Sequence, residues 1–170
     1  MLFFVIFYNM MQYFNTFKKF AFRLELLQEY DVKEETESFA KFMSTGIPTN
    51  FPEWEDIIKK ANDRGAQMSR VHVLTFPLSD YLKYELSCYK NNENAGEKIL
   101  LINGSHYNEL GLNKITDFWI FDDNIVLKMR YSKEGKFLGF ETITTDIDDY
   151  IQTKNLLLKN ATEMRLFKFE

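Results

Sequence analysis

Alternating apolar and polar residues predict strands near the start of the chain and after residue 69. Between residues 20 and 27, Phe and Leu alternate with a second set that includes Arg23 and Glu25. This is the two-residue period of a strand, with a short helix as the competing interpretation. Residues 70–76 alternate in the same way, and their β-branched Val and Thr residues favour a strand that ends before Pro77.

Three segments have apolar residues at every third or fourth position, which is the period of a helix. The first covers residues 33–44 and the second covers residues 52–65, with a proline at its start. The third begins after the N-cap candidate Ser79 and runs to Tyr89. A polar loop is expected next, at residues 91–96.

The second half of the chain has closely spaced apolar runs, at residues 99–103, 115–121, 125–131 and 137–143. Asn- and Gly-containing turns separate the last three, which is typical of an antiparallel meander. A closing helix is predicted at residues 148–164 and a last strand at 165–169. The helix is expected to turn four residues inward, namely Ile151, Leu156, Leu158 and Ala161. Helices at both ends and strands between them predict an α+β fold, a single domain with a central antiparallel sheet (meander) and helices packed on it.

The start of the chain is almost wholly apolar from residue 2 to residue 14. Such a run is too short for a bilayer, which takes about 20 apolar residues, and it lacks the flanks of a signal peptide. One interpretation is that this segment packs over the hydrophobic core. The other is that part of it is an upstream extension of a protein whose natural first residue is Met10 or Met11. The chain is therefore divided into an apolar N-terminal segment or extension, residues 1–19, and a single α+β domain, residues 20–170.

Composition narrows the classes of function. The chain has 170 residues, with 21 basic and 25 acidic residues and a formal charge of −4, and no basic patch is visible. A nucleic-acid partner is therefore possible, but the charge pattern does not indicate one. The single cysteine, Cys88, excludes an internal disulfide, and two histidines are too few for a Cys/His zinc site. We expect a cytoplasmic protein with no membrane contact, no metal and no cofactor, although an oxygen-ligand metal site is not excluded by composition.

Candidate chemistry is concentrated in the segment from Arg70 to Tyr89. Tyr81 and Glu85 lie four residues apart on one face of the predicted helix. If that face lines a cleft, Glu85 could act as a general base and Tyr81 as an acid or hydrogen-bond donor. The alternative is a solvated helix face with a half-buried ring.

Two arginines lie on predicted strands, where a guanidinium must leave the core or pair with a carboxylate. Arg23 shares a strand face with Glu25, and Arg70 lies on the next predicted strand. Two such arginines could clamp a phosphate or carboxylate, or they could form structural ion pairs. Asp117 lies on a predicted strand with two apolar faces, so it is expected to pair with Arg70 or Arg23, either as a buried brace or as the floor of a pocket.

The candidate pocket is made of eight residues, which are Arg23, Glu25, Arg70, Tyr81, Glu85, Glu97, Asp117 and Trp119. The sequence has no nucleophile elbow, phosphate-binding loop, dinucleotide-binding glycine motif or zinc-protease motif. Nucleophilic triad chemistry is therefore not expected.

Several stretches of the sequence resemble a bacterial domain family of unknown function. They are R-V-x-V-x-x-x-P-L-S-x-Y-x-x-Y-E-L at residues 70–86, A-G-E at 95–97, D-F-W-x-F-D at 117–122, and Tyr131 before a turn at Gly135. The upstream residues Phe22 to Glu25, Tyr30 and Trp54 also fit, so the resemblance extends from about Phe20 to the C-terminus. It implies a single domain of similar length, often encoded beside helix-turn-helix regulators, and it brings no established activity or catalytic residue.

Two functions follow as hypotheses. The first is a small soluble binding or regulatory accessory protein, of regulatory, defence or immunity type, that acts through a protein partner or a small ligand. The alternative is a small enzyme acting on a nucleotide or nucleic acid. In that case Arg23 and Arg70 would hold phosphate, and Tyr81 would orient the substrate. The acid or base would be one of three carboxylates, Glu85, Glu97 or Asp117.

Overall fold

A computed structural model describes residues 10–112 and 114–169, except for the side chain of Glu34. The described residues form one seven-stranded sheet. Its strands are β1 (Phe20–Glu25), β2 (Gln67–Leu74), β3 (Lys98–Asn103), β4 (Phe118–Phe121), β5 (Ile125–Tyr131), β6 (Phe137–Ile143) and β7 (Thr162–Glu163).

Helices surround this sheet. Residues 10–16 are helical and are called α1. The others are α2 (Thr36–Thr45), α3 (Pro52–Asp63), α4 (Asp80–Ala95), α5 (Gly104–Glu109) and α6 (Asp148–Asn160). Short 3-10 turns precede α2 and follow β7, at Lys33–Glu35 and Met164–Leu166. The α+β class and the single domain are thus as predicted.

The sheet is mixed, so the prediction of a central antiparallel meander was wrong in part. Its strand order is β6-β5-β4-β1-β2-β3-β7. The meander exists as β4, β5 and β6, but the centre is formed by β1, β2 and β3, which run parallel. Parallel neighbours need a long crossover connection, and the helices between these strands supply it. Grouping strands by their spacing along the chain missed those crossovers.

The sheet divides the helices into two layers. Phe14 of α1 and Ile58 of α3 pack with Ala21, Met68 and Trp119 on one face. On the same face, Leu82 and Leu86 of α4 pack with Leu74 of β2 and with Ile99 and Leu101 of β3. The opposite face is covered by α5 and α6, through Tyr107 and Leu157. Because strand residues alternate between faces, Arg23, Glu25 and Arg70 lie on the α4 side.

Local signals explain where α4 begins, and a tertiary contact explains where it ends. The Ser79 hydroxyl accepts a hydrogen bond from the Leu82 N–H at 3.1 Å, as the N-cap prediction required. The predicted loop at residues 91–96 was wrong, because α4 continues to Ala95. The Asn62 side chain of α3 donates to the Ala95 carbonyl at 3.0 Å and holds this last turn.

The C-terminal predictions need further corrections. The helix α6 ends at Asn160 rather than residue 164, and Leu158 is 39% exposed, whereas Leu157 is buried. The predicted strand at residues 165–169 was wrong, since a 3-10 turn begins at residue 164 and no strand follows in the described residues up to 169. The helix α5 was not predicted, and β4 covers four residues of the run predicted at 115–121. Both β5 and β6 have the predicted limits.

The described part of the apolar N-terminal segment packs on the same sheet as the rest of the chain. Phe14 and Phe17 are buried beside Phe121, with ring centroids 5.2 and 5.9 Å away. Arg64 donates to the Phe14 carbonyl at 2.7 Å. Residues 1–9 lie outside the described part of the chain. In residues 10–112 and 114–169, no helix is both long and apolar enough to cross a membrane.

Candidate functional site

The register of the central strands brings the predicted charged residues together. In the parallel pair β1–β2, Arg23 lies opposite Arg70 and Glu25 lies opposite His72. In the antiparallel pair β1–β4, Arg23 lies opposite Trp119. Side chains of directly opposed residues are about 5 Å apart at Cβ, so charged groups on this face must either pair or repel.

Arg70 lies at the centre of the first ion-pair group. Its Nε is 2.8 Å from Glu97 Oε1 and its Nη2 is 3.3 Å from Glu97 Oε2, which is a two-point contact. A third nitrogen, Nη1, is 3.1 Å from Glu25 Oε2, and the guanidinium lies 4.7 Å from the ring centroid of Tyr89. Burial alone would raise the pKa of Glu25, but Arg70 and then Arg23 hold it at about 2.

Arg23 forms the second group, on the neighbouring strand. Its Nη2 is 3.3 Å from Asp117 Oδ2 and 2.9 Å from the Tyr131 hydroxyl, while Nε is 3.4 Å from Glu25 Oε1. The predicted pairing of Asp117 with an arginine is therefore confirmed for Arg23. Its Nη1 is buried without a hydrogen-bond partner in the described part of the chain. Trp119 lies 5.8 Å from the guanidinium.

His72 is fully buried between these groups. Its Nε2 is 2.9 Å from the Leu27 carbonyl, an acceptor, so the proton of a neutral ring lies on Nε2. Its Nδ1 is 2.9 Å from the Tyr89 hydroxyl, which also lies 2.7 Å from Glu25 Oε2. Burial lowers the pKa of His72 against the opposing pull of Glu25, so the neutral ring is favoured. The single Tyr89 proton then has two acceptors, the imidazole and the Glu25 carboxylate.

Glu85 is the carboxyl group of the site that lacks a full set of partners. Its Oε2 is buried, has no hydrogen-bond partner among the described residues, and lies 3.9 Å from Nδ1 of His72. Burial, followed by the charges of Glu25 and Glu35, raises the pKa of Glu85 well above its usual range. The protonated, neutral form is therefore favoured.

Tyr30 and Tyr81 connect this network to the surface. The Tyr30 hydroxyl donates to Asp117 Oδ2 at 2.6 Å, and the Tyr81 hydroxyl donates to Glu35 Oε2 at 2.7 Å. Both tyrosines are also among the residues that line a groove of about 470 Å³. The other residues of the groove are Glu29, Asp31, Val32, Glu35, Thr36, Phe39, Ser79 and Asp80.

The eight predicted pocket residues fall into one region but in different positions. Five form the buried ion-pair network, namely Arg23, Glu25, Arg70, Glu97 and Asp117. Trp119 packs beside Arg23, and Glu85 lies next to His72. Of the eight, Tyr81 alone is among the described residues that line the groove.

Sequence reasoning missed five residues of this region, which are Tyr30, Glu35, His72, Tyr89 and Tyr131. A signal existed for two of them. His72 follows Arg70 on the same strand face, and Tyr89 lies four residues after Glu85 on the same helix face. Tyr30, Glu35 and Tyr131 come from separate loops and strands, and their convergence has no local signature.

The site consists of a buried ion-pair network of two arginines and three carboxylates, beside an open groove lined by acidic and aromatic residues. In residues 10–112 and 114–169, no group of three or more His, Cys, Asp or Glu side chains is placed to hold a metal ion. All three nitrogens of Arg70 contact carboxylates, whereas Arg23 contacts carboxylates through Nε and Nη2 and keeps a buried Nη1 that has no hydrogen-bond partner among the described residues.

Comparison with known proteins gives a family and no activity. A search of the curated proteins found no match. A family model matches residues 9–168, which includes the part of α1 that the sequence resemblance had left out. Since this match covers nearly the whole chain, the protein belongs to the family described as "Domain of unknown function (DUF6879)".

Proposed function

We propose that this protein is a non-catalytic binding domain of regulatory accessory type, which takes up a small ligand or a segment of a protein partner in the groove between Tyr30 and Tyr81. The observation that carries the proposal is that both tyrosines are among the residues that line the groove while their hydroxyls are held by Asp117 and Glu35. Rings that are fixed before binding lose little conformational freedom when a ligand arrives.

The ion-pair network behind the groove supports a positioning role. Asp117 is 3% exposed and contacts both Arg23 and the Tyr30 hydroxyl, so it ties the groove wall to the centre of the sheet. A buried pair of this kind adds little net stability over apolar residues, but it specifies one arrangement of the groups around it.

The alternative, an enzyme acting on a nucleotide or nucleic acid, is less well supported. It requires Arg23 and Arg70 to meet phosphate, yet neither is among the described residues that line the groove. Four carboxylate residues do line it, and they would repel a phosphate. Glu85 and His72 could transfer a proton, but neither is among the described residues that line the groove.

Affinity capture from the native host, with a groove-blocking variant, tests the proposal. Thr36 is exposed and lines the groove, so the larger side chain of Thr36→Trp fills the groove. Gln152→Trp is the matched control, since Gln152 is exposed on α6 across the sheet. We expect a protein, or a small molecule seen by native mass spectrometry, that wild type and control retain. The blocked variant should bind it at least about tenfold more weakly, a difference of about 1.4 kcal/mol.

The opposite result is equally informative. Recovery of the same partners in the same amounts by all three proteins would show that the groove does not bind them. Failure of wild type to recover any partner at high protein concentration would remove the proposal altogether. Equal thermal stability of the two Trp variants guards against loss of binding through unfolding.

A further inference from the structure

We infer that residues 32–51, which include α2 and are called the strap, open away from α4 as one unit on hinges at their two ends. In the closed state the strap supplies one wall of the groove, through Val32, Glu35, Thr36 and Phe39. Opening therefore widens the groove and uncovers side chains of α4. It is a property of the free protein, so it goes beyond the proposed function and can be measured without a ligand.

The strap contributes no buried residue to the core. From residue 31 to residue 56 no described residue is buried, and only the side chain of Glu34 is left undescribed in this stretch. None of the ten residues of α2 is buried, whereas the neighbouring helix α4 has eight buried residues. Segments with few buried apolar contacts have low local stability, and they open before the rest of the molecule unfolds.

The strap is held closed by side-chain contacts with the first turns of α4. The hydroxyls of Ser38 and Tyr84 are 2.6 Å apart, and the Tyr81 hydroxyl donates to Glu35 Oε2 at 2.7 Å. The Phe39 ring packs against the same two tyrosines, with centroids 5.7 Å from Tyr81 and 5.5 Å from Tyr84. These contacts join the strap to α4 and not to a strand, so the strap can separate from the helix without breaking the sheet.

The chain is fixed on either side of the strap and free to turn at its ends. Before the strap, the Asp31 N–H donates to the Gly135 carbonyl at 3.1 Å. After it, α3 is anchored by the buried Ile57. Residues 46–51, between α2 and α3, belong to no helix or strand. Gly46 begins this stretch at φ +68°, with no atom within 4 Å of an added Cβ, so the backbone can rotate there without collision.

Cys88 can report the opening because it lies beneath the strap and is the single cysteine of the chain. It is 8% exposed and belongs with Tyr84 to a buried cluster, against which Phe42 and Phe51 of the strap pack. Burial raises the pKa of the Cys88 thiol, so the closed protein holds little of the reactive thiolate. Alkylation of Cys88 under native conditions therefore measures the opened state.

Alkylation by iodoacetamide at pH 8, followed by mass spectrometry, tests the inference with a matched pair of variants. Phe39→Ala removes the ring that contacts Tyr81 and Tyr84, and should raise the alkylation rate at least about tenfold. Hydrogen exchange at the amides of residues 39–45 should accelerate by the same factor, because one unit opens. Met43→Ala, at a side chain of α2 that is 51% exposed, should leave both rates within about twofold of wild type.

A third variant separates opening of the strap from unfolding of the whole protein. Leu157→Ala makes a cavity at a fully buried residue on the opposite face of the sheet. If Cys88 were reached only through global unfolding, this variant would accelerate alkylation at least about thirtyfold. Opening of the strap instead predicts a rate within about twofold of wild type, since the two sites are distant. Ile120→Val, at another fully buried residue, replaces Leu157→Ala if that variant does not fold, and it too should leave the rate unchanged.

Three outcomes would overturn the inference. Faster alkylation in the core variant as well as in Phe39→Ala would mean that Cys88 is reached only by global unfolding. Faster alkylation in Phe39→Ala without faster exchange at residues 39–45 would mean a gap beside Cys88 and not a moving strap. Unchanged rates in Phe39→Ala would make α2 a fixed part of the domain. The capture experiment with Thr36→Trp decides the proposed function separately.

Discussion

Glu85 is the residue whose protonation should make stability depend on pH. The pKa of its carboxyl is raised in the folded state by burial and by the charges of Glu25 and Glu35. The ordinary pKa of a glutamate carboxyl, 4.5, applies to the unfolded chain. At a pH between 4.5 and the pKa in the folded state, the folded protein holds a proton that the unfolded chain has released. The contribution of Glu85 to the free energy of unfolding is therefore fully present below pH 4.5. It is lost as pH rises, by up to about 1.4 kcal/mol per pH unit.

Glu85→Gln tests this, because glutamine has the shape of the protonated carboxyl and does not titrate. We expect the variant to match wild type near pH 4.5 and to become more stable than wild type as pH rises towards 8. Urea unfolding at pH 5, 6, 7 and 8 measures the difference. Glu37→Gln, at an exposed position of α2, is the control and should stay parallel to wild type. A variant that loses stability equally at every pH would mean that Glu85 is ionised in the folded protein.

At the scale of elements, the end of α4 depends on a glycine and on a contact with α3. Gly96 has φ +108°, and a Cβ there would overlap the Asn62 amide that holds the Ala95 carbonyl. Gly96→Ala should therefore cost about 1–2 kcal/mol for the left-handed backbone and about 1 kcal/mol more for the displaced hydrogen bond. Gly46→Ala is the matched control, because Gly46 ends α2 at φ +68° with no atom within 4 Å of the added methyl. Equal unfolding free energies for the two variants would exclude the Asn62 contact as a cause.

The same helix shows which limits of a secondary-structure element can be predicted from the sequence around them. Its start was predictable because a Ser79 cap acts on residues beside it. Its end was not, because three of the residues 91–94 (NNEN) are asparagines, which are weak helix formers, and the helical state of this turn depends on packing with a distant segment. The first and last residues of β5 and β6 were predicted correctly, because apolar and polar residues alternate in each strand and a turn separates the two.

At the scale of the whole molecule, the sequence specified which side chains share a strand face but not which strands are neighbours. Alternation placed Arg23 with Glu25, and burial of charge required a partner for each arginine. The parallel register that puts Arg23 beside Arg70 follows from crossover connections that no local pattern describes. The site was therefore predicted as a set of residues, whereas the groove beside it, built from the 29–32 loop and two helix starts, was not.

The extent of the domain is the property of the whole molecule that one substitution can test. Phe14 of α1 is 2% exposed and lies 5.2, 4.9 and 5.2 Å from the rings of Trp54, Trp119 and Phe121. Phe14→Ala should lower the free energy of unfolding by about 3–5 kcal/mol, the usual cost of truncating a buried Phe. Phe169→Ala, at a ring that is 50% exposed, should change it by less than about 1 kcal/mol. Urea unfolding at pH 7 measures both. If Phe14→Ala proved as harmless as Phe169→Ala, α1 would be an appendage and residues 20–170 would fold alone; a large loss means that the cooperative unit begins within α1.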